Sequence, residues 1–259
     1  IVLVGPVAAF FAPEDPRIWQ THPRNMLPQL DHWLGTTALG QETFWLLSWS
    51  VRNSLMLGVS VAALATIIGV AVGLLAGYRG GPLDRVLSFV MDVLIVIPSL
   101  PLLILLSSMT KGQTSLLAVG TILVIFNWPF PARQIRAVAL TLRERDFVNL
   151  AWFSGESIGR ILWRQMVPYL RGWAAANFIN TILVVVAVEA SLAFLGLSND
   201  NVPTIGTMIY WALKYQALIA GRWWWLLPPI ISIVLTFVGF FLVSNELAER
   251  LRVNPARAQ

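Results

Sequence analysis

The sequence contains no cysteine and only two histidines among its 259 residues. Without cysteine the chain forms no disulfide, no thiolate metal site and no cysteine nucleophile, so the redox compartment stays undetermined. Charged residues are also scarce, at 12% of the chain, which is about half the fraction of an ordinary soluble domain. A chain with so little charge is expected to place most of its surface in a large core or in a lipid bilayer.

Long uncharged runs favour the bilayer. A helix needs roughly 18 to 20 apolar residues to cross the hydrocarbon layer, and five runs reach that length, two of them interrupted only by Asp92 or Glu189. These predicted spans are residues 53–78, 86–110, 112–132, 172–199 and 223–245. Residues 1–11 are apolar but too short to cross, so we expect them to be the end of a first helix. The sequence therefore predicts an all-α integral membrane protein of about six transmembrane helices.

The distribution of basic residues predicts the orientation. The net charge is +5, but the Lys and Arg residues form no basic stripe with interleaved aromatics, which argues against nucleic acid. Segments 79–85, 133–171 and 246–259 hold twelve of the eighteen Lys and Arg residues. By the positive-inside rule these segments, including the C-terminus, are cytoplasmic. Residues 12–51 then form an outer loop, and its Trp-rich end is expected to be an interfacial helix.

Several residues inside the spans suggest packing or a pathway. Gly69, Gly73 and Gly77 form a stripe that lets another helix approach closely, within this chain or from a partner. Pro98 and Pro101 are expected to interrupt the third span, either as a packing feature or beside a pathway. Asp92 and Glu189 are intramembrane carboxylates, and such groups pair with other residues, act as gates or contact the transported solute.

The longest predicted cytoplasmic loop, residues 142–168, is amphipathic. Apolar residues recur at helical spacing on both sides of Gly155, which predicts two short helices joined at this glycine. In the first helix the predicted stripe is Phe147, Leu150, Ala151 and Ser154. Apolar faces on helices outside the bilayer need a surface to cover, which is either the membrane interface or a docked protein.

Signatures of enzymatic sites are incomplete. No G-x-x-x-x-G-K-[ST] occurs, so this sequence does not hold ATP in the P-loop manner. Residues 155–159 match G-x-S-x-G, but that motif needs a preceding strand and a nearby histidine. The only histidines, His22 and His32, lie in the predicted outer loop. We therefore interpret Ser157 as an ordinary helix position and predict no metal site at the two histidines.

Four motifs, in order along the chain, resemble a known family. The loop Leu142–Pro168 looks like the EAA motif of binding-protein-dependent ABC importer permeases, and its R-E-R-D-F-V segment is similar to the C-type subunits of the dipeptide and oligopeptide permease family. The other three matching segments are 32–42, 92–99 and 189–197. Asn149 and Leu150 replace the glutamate and first alanine of EAA, so the chain resembles a divergent member. By this resemblance the ATPase-coupling residues are Arg143, Glu144, Asp146, Phe147, Asn149, Leu150, Ala151, Gly155, Glu156 and Ser157, and a pathway or gate would involve Asp92, Pro98 and Glu189.

The resemblance also implies an architecture and a set of partners. It implies the type I importer permease fold, with residues 52–259 as the permease domain, in the inner membrane of a prokaryote. The expected partners are a related B-type permease subunit, two cytoplasmic ATPases that carry ATP and Mg, an outer solute-binding protein and membrane lipid. The expected function is inward transport of small peptides or similar solutes by alternating access, without a cofactor on this chain. The alternative is a proton-coupled secondary transporter that uses Asp92 and Glu189.

Overall fold

The computed structural model describes residues 4–109, 115–199 and 201–250, and in these ranges the secondary structure is helical, without a β-strand. A short helix α1 is followed by a 3₁₀ turn at Ala9–Phe11, and a π-helical segment at Ile161–Met166 precedes α9. Residues 251–259, part of the segment predicted to be cytoplasmic, lie outside the described ranges. The helices are α1 (Val4–Ala8), α2 (Thr43–Arg79), α3 (Gly81–Val96), α4 (Ser99–Met109), α5 (Leu116–Asn127), α6 (Pro129–Arg143), α7 (Asp146–Phe153), α8 (Ile158–Arg160), α9 (Val167–Phe194), α10 (Ile205–Lys214) and α11 (Trp223–Arg250).

Among the described residues, four helical segments are long and apolar enough to cross a membrane, and the broken pair α3 and α4 would make a fifth. The four segments are Thr43–Arg79, Leu116–Arg143, Ile158–Phe194 and Trp223–Glu246. Four of the five complete spans predicted from the sequence are therefore confirmed as apolar helices, and the span predicted at residues 86–110 is the broken pair. The interruption predicted at Pro98 is also found, because α3 ends at Val96 and α4 begins at Ser99. Pro101 causes no second break, since it lies in the first turn of α4, where proline is tolerated.

Two helices extend beyond their uncharged runs. Helix α2 begins at Thr43, so the expected boundary between outer loop and permease domain at residue 51 falls inside it. The guanidinium of Arg52 lies 5.3 Å from the ring centres of both Phe10 and Trp49, and these cation–π contacts accommodate the charge. Helix α6 likewise continues past Arg133 to Arg143. The length of an uncharged run corresponds to the thickness of the hydrocarbon layer, whereas the helix itself can continue into polar surroundings.

The chain forms two compact units, of which one comprises residues 60–99, 121–182 and 241–259. In this unit the glycine stripe of α2 packs against α6. A Cβ atom on Gly73 would lie 2.4 Å from the carbonyl oxygen of Ala132, and one on Gly77 would lie 2.6 Å from the Cβ of Ala139. Both distances are too short for any side chain. The stripe therefore serves close packing of helices within this chain.

The other unit comprises residues 1–59, 100–120 and 183–240. Its polar segment before α2 is folded onto itself and onto the start of α11. The Trp224 indole N–H donates to the carbonyl oxygen of Thr36 at 3.2 Å, and the Gln41 amide donates to that of Pro16 at 2.8 Å. Trp224, Trp225 and Met208 are buried in one apolar cluster with the start of α2. The predicted outer loop is thus packed against α10 and α11.

Candidate functional site: an exposed apolar helix and a buried carboxylate

Helix α7 lies just beyond the end of α6. Only Glu144 and Arg145 separate the last residue of α6 from Asp146, the first residue of α7. Arg145 has an extended backbone that turns the chain, and the carboxylate of Asp146 lies in the first turn, where the helix dipole favours negative charge. A link of two residues ties the position of α7 closely to that of α6.

Gly155 ends α7 in a left-handed conformation. Its φ angle is +76°, and the N–H of Glu156 donates to the carbonyl of Ala151 while the N–H of Gly155 donates to that of Trp152. This pair of hydrogen bonds is a Schellman motif, which places glycine at the left-handed residue. A Cβ atom there would meet nothing within 4 Å, so only the backbone angle requires glycine. The turn at Gly155 expected from the sequence is present.

The inner face of α7 packs on a hydrophobic cluster. Val148 and Ala151 are buried beside Leu142 of α6. The ring of Phe147 is half-buried against the same cluster and stacks on Tyr169, with 5.0 Å between ring centroids and 17° between planes. The sequence suggested Phe147 as an apolar anchor for a docked protein, but its ring faces the chain's own core.

The outer face of α7 carries large apolar side chains that no described residue covers. Leu150 is 65% exposed, Trp152 is 61% exposed and Phe153 is 77% exposed. We call these three residues the α7 patch. Surface-exposed clusters of large apolar groups mark sites where proteins meet other proteins or membranes. The patch includes Leu150, which the sequence singled out, and adds Trp152 and Phe153, which it did not.

Polar groups surround the α7 patch. The Arg143 guanidinium pairs with the Glu144 carboxylate at 3.0 Å, and this exposed pair contributes little to stability. Asn149 and Ser157 are exposed. One carboxylate oxygen of Glu156 is buried without a hydrogen-bond partner among the described residues. Ser157 precedes α8 with an extended backbone, and its side chain makes no capping hydrogen bond. This geometry is that of an ordinary residue before a helix.

The second helix of the predicted pair is not separate. Residues Ile158–Phe194 form one continuous helical segment, in which Ile161–Met166 is π-helical. Pro168 has no N–H to donate to the preceding turn, and the wider π turn just before it is a way to accommodate this loss. The helix therefore runs through the proline at which the sequence suggested that the loop ends.

Asp92 pairs with Arg133 at 3.0 Å, and both side chains are more than half exposed. A second ion pair between the same helices was missed by the sequence reading. The guanidinium of Arg136 donates both Nε and Nη2 to the carboxylate of Asp84, at 2.5 and 2.6 Å, with side chains only 30% and 14% exposed. A bidentate, partly buried pair is stronger and more specific than the exposed pair. Both arginines lie on one face of α6 because they are three residues apart. This spacing is the only feature of the sequence that could have indicated the two ion pairs.

Glu189 is buried within α9, with 1% of its surface exposed. One of its carboxylate oxygens accepts hydrogen bonds from the hydroxyls of Thr204 at 2.7 Å and Ser198 at 3.5 Å. Thr204 also caps α10, since its hydroxyl accepts from the N–H of Thr207 at 3.1 Å. Ser54 of α2 accepts from the N–H of Ile205 at 3.1 Å. Glu189 therefore fixes the start of α10, which supports a role in pairing or gating.

The two histidines meet in the polar segment before α2. The rings of His22 and His32 lie edge to face, with centroids 4.9 Å apart. Burial raises the pKa of the nearby Glu42 carboxyl above its usual value, and the charges of His32 and His22 partly oppose this shift. The described residues contain no group of three or more His, Cys, Asp or Glu side chains that could hold a metal ion.

The combination of apolar spans, close-packed helices and an exposed apolar helix beside them is that of a multi-pass membrane protein with a surface for a partner, as in a transport permease subunit. A family model confirms this class. Residues 69–251 match the binding-protein-dependent transport system inner membrane component, and the chain belongs to this family of inner membrane proteins. The resemblance seen in the sequence is thus confirmed.

Individual relatives agree with the family. The oligopeptide transport system permease protein OppC of Mycobacterium tuberculosis (strain ATCC 25618 / H37Rv) is 32% identical over 225 residues, covering 86% of this chain and 76% of the relative. The dipeptide transport system permease protein DppC of Bacillus subtilis (strain 168) is 28% identical over 266 residues, covering 97% and 77%. The fold is similar to that of the MetNI methionine ABC transporter in inward-facing conformations, with a TM-score of 0.62, 18% identity and coverage of 80% of this chain and 96% of the other. The type I importer permease fold is therefore confirmed, and nothing supports the proton-coupled alternative.

Proposed function

We propose that this chain is the C-type permease subunit of an ATP-driven importer of small peptides or similar solutes. The names of its relatives, oligopeptide and dipeptide transport system permease proteins, support this class of cargo. A related B-type permease subunit would complete the pathway, and an outer solute-binding protein would deliver the cargo. ATP and Mg would be bound by two cytoplasmic ATPases, since this chain has no P-loop.

The observation that carries the proposal is the α7 patch. In a permease that depends on separate ATPases, some surface must receive the force of ATP binding. The patch has exposed apolar anchors, a polar rim and a rigid attachment to α6, which are the features of a protein-docking site. We assign contact with the ATPase to Leu150, Trp152 and Phe153, with the rim formed by Arg143, Glu144, Asp146, Asn149 and Ser157. Glu156 belongs to the same rim, Gly155 shapes the turn, and Phe147 and Ala151 hold α7 on the permease.

In this proposal the cargo crosses the membrane by alternating access. Closure of the ATPases on nucleotide would move α7, and α6 would move with it because the link has only two residues. Glu189 would stabilise one state by holding the start of α10 through Thr204, and the break at Pro98 would permit a local change of backbone. Neither carboxylate acts as a proton relay in this scheme, since Glu189 has hydroxyl partners and Asp92 is paired with Arg133.

Reconstitution tests the function. The complete transporter in proteoliposomes should take up a labelled di- or tripeptide only when ATP and Mg are present on the α7 side and binding protein on the other. Glu189→Gln keeps an acceptor for Thr204 and should retain much of the ATP-driven uptake. Uptake driven by a proton gradient without ATP, and abolished by Glu189→Gln, would overturn the proposal.

Cysteine labelling tests the orientation, with α7 on the cytoplasmic side. The natural chain has no cysteine, so single cysteines report without background. Ser157→Cys and Leu30→Cys suit this test because Ser157 is exposed and Leu30 is 94% exposed. An impermeant maleimide added to intact cells should label Leu30→Cys and spare Ser157→Cys. The reverse pattern would show that the orientation is wrong.

A further inference from the structure

An apolar groove of about 470 Å³ lies between α2 and the helical segment around the π turn. Its walls run along residues 66–75 of α2 and 159–174 of the second segment, and all of them belong to one compact unit. Apart from Thr66, Trp163 and Arg171, every lining residue is aliphatic or glycine. The volume lies within the range of pockets that hold a small organic ligand.

The groove runs along the helices. At one end the Asn177 amide donates to the hydroxyl of Thr66 at 3.5 Å, and at the other end Leu162 packs against the cluster that contains Leu74. The nine-residue separation of Thr66 and Leu75 corresponds to about 14 Å of helix. The groove is therefore long and narrow, a shape that suits an extended hydrocarbon chain.

Arg171 gives the groove a positive charge. It lines the wall, is exposed, and forms no ion pair with a carboxylate among the described residues. It directly precedes a run that carries no further charge until Glu189, so it lies at the edge of the hydrocarbon layer. An arginine near the end of a membrane-spanning run extends its guanidinium to the level of the lipid head groups. Arg160 and Arg164 are exposed near Trp163, at the end of the groove that leads out of the apolar run.

We propose that this groove binds one anionic phospholipid, with an acyl chain along the aliphatic walls and the phosphate paired with Arg171. Basic pockets between transmembrane helices bind anionic head groups in this way. Trp163 lines the groove and is 74% exposed, and tryptophan is enriched at the level of the lipid head groups. A bilayer supplies the phosphate and the acyl chain together, whereas a helix of a second permease subunit would have to bring an acidic residue to Arg171.

Native mass spectrometry of the assembled transporter tests the proposal. The complex, purified through a tag on this chain, is titrated with phosphatidylglycerol or with phosphatidylcholine of the same acyl chains. The wild type should retain phosphatidylglycerol preferentially. Arg171→Gln should weaken its retention about fivefold, as expected for one basic residue near the membrane surface, with no change for phosphatidylcholine. Arg171→Lys should preserve the preference for the anionic lipid.

Two controls make the outcome specific. Arg85→Gln removes an equally exposed charge from α3, outside the groove, and should leave lipid retention unchanged. Ala71→Trp fills the groove and should release the bound phosphatidylglycerol. Equal retention in wild type and Arg171→Gln, or an equal loss in Arg85→Gln, would overturn the proposal.

The competing occupant is a protein helix, and cross-linking detects it. Ile67 lines the groove and is 65% exposed, so Ile67→Cys places a thiol in the groove. A short bifunctional maleimide with a photoreactive arm should couple this thiol to phosphatidylglycerol in the assembled transporter. Efficient cross-linking to the second permease subunit instead would show that protein fills the groove, and the lipid proposal would be wrong.

Discussion

Substitutions at two phenylalanines of α7, six residues apart, distinguish an effect on ATPase docking from an effect on folding. Phe153 is 77% exposed, so Phe153→Ala should change the free energy of unfolding by less than about 0.5 kcal/mol. If Phe153 is an anchor of the α7 patch, its truncation should weaken ATPase docking by about 2 kcal/mol, or about thirtyfold in Kd. Phe147 is half-buried and stacked on Tyr169, so Phe147→Ala should act mainly on folding.

The magnitude for Phe147 follows from its contacts. Removing a fully buried phenylalanine costs about 3 to 5 kcal/mol, and a stacked aromatic pair contributes about 0.5 to 1.5 kcal/mol of its own. For a half-buried ring we expect about 2 kcal/mol, which lowers Tm by about 4 to 8 °C in a chain of this size. Residual docking should stay near the wild-type level at temperatures well below Tm.

The assay measures two quantities on each purified variant. Tm is read from tryptophan fluorescence in mild detergent, and the Kd for the ATPase is measured by titration of the reconstituted permease pair. Phe89→Ala is the matched control, because it removes a ring that is 68% exposed on α3, away from α7. If Phe153→Ala binds the ATPase normally while Phe147→Ala loses binding at unchanged Tm, the assignment of the faces of α7 is wrong.

Three further predictions concern backbone, ion pairs and pH. Gly155→Ala should lower the free energy of unfolding by about 1 to 2 kcal/mol because of the φ of +76° at this residue, and it should uncouple ATP hydrolysis from uptake. Gly155→Asn should retain coupling, because asparagine tolerates this angle. Asp84→Asn breaks the bidentate pair with Arg136 and should lower stability by about 1 to 3 kcal/mol, while Asp92→Asn at the exposed pair should cost under about 1 kcal/mol; equal Tm values would contradict this ranking. Because burial raises the pKa of Glu42, the native state binds more protons than the unfolded state, so stability falls as pH rises above about 4.5; Glu42→Gln should raise Tm at pH 7 and have little effect at pH 4.

The spans were predictable because the bilayer imposes a minimum length on uncharged runs, and four of the five runs lie in helices long enough to cross a membrane. The ends of the helices were not predictable, because a charged residue marks the end of an uncharged run but does not end the helix. Arg133 and Arg136 remain helical since Asp92 and Asp84 of α3 neutralise them, and pairing between distant residues leaves no local pattern. Arg52 also lies within a helix, and its charge is accommodated by cation–π contacts with aromatic rings that are not visible as a local sequence pattern.

The helix α7 was predictable from the sequence, but the face of α7 that is buried was not. The EAA-like segment and Gly155 placed α7 and its turn correctly. The buried face could not be chosen, because α7 is apolar nearly all round and two stripes fit a helical period equally well. Val148 faces the core and Phe153 faces outward only because α6 and the π turn fix the rotation of α7 through Leu142 and Met166.

The packing of the glycine stripe of α2 against α6 couples the movements of these two helices. Because Gly73 lies against the backbone of Ala132 with no room for a side chain, α6 cannot slide along α2 without a clash. Helix α2 is unbroken over 37 residues, or about 55 Å, so a tilt of about 5° displaces its far end by about 5 Å. A displacement of α7 and α6 would thus carry the glycine-bearing half of α2 with it, because the two backbones have no space in which to slip past each other.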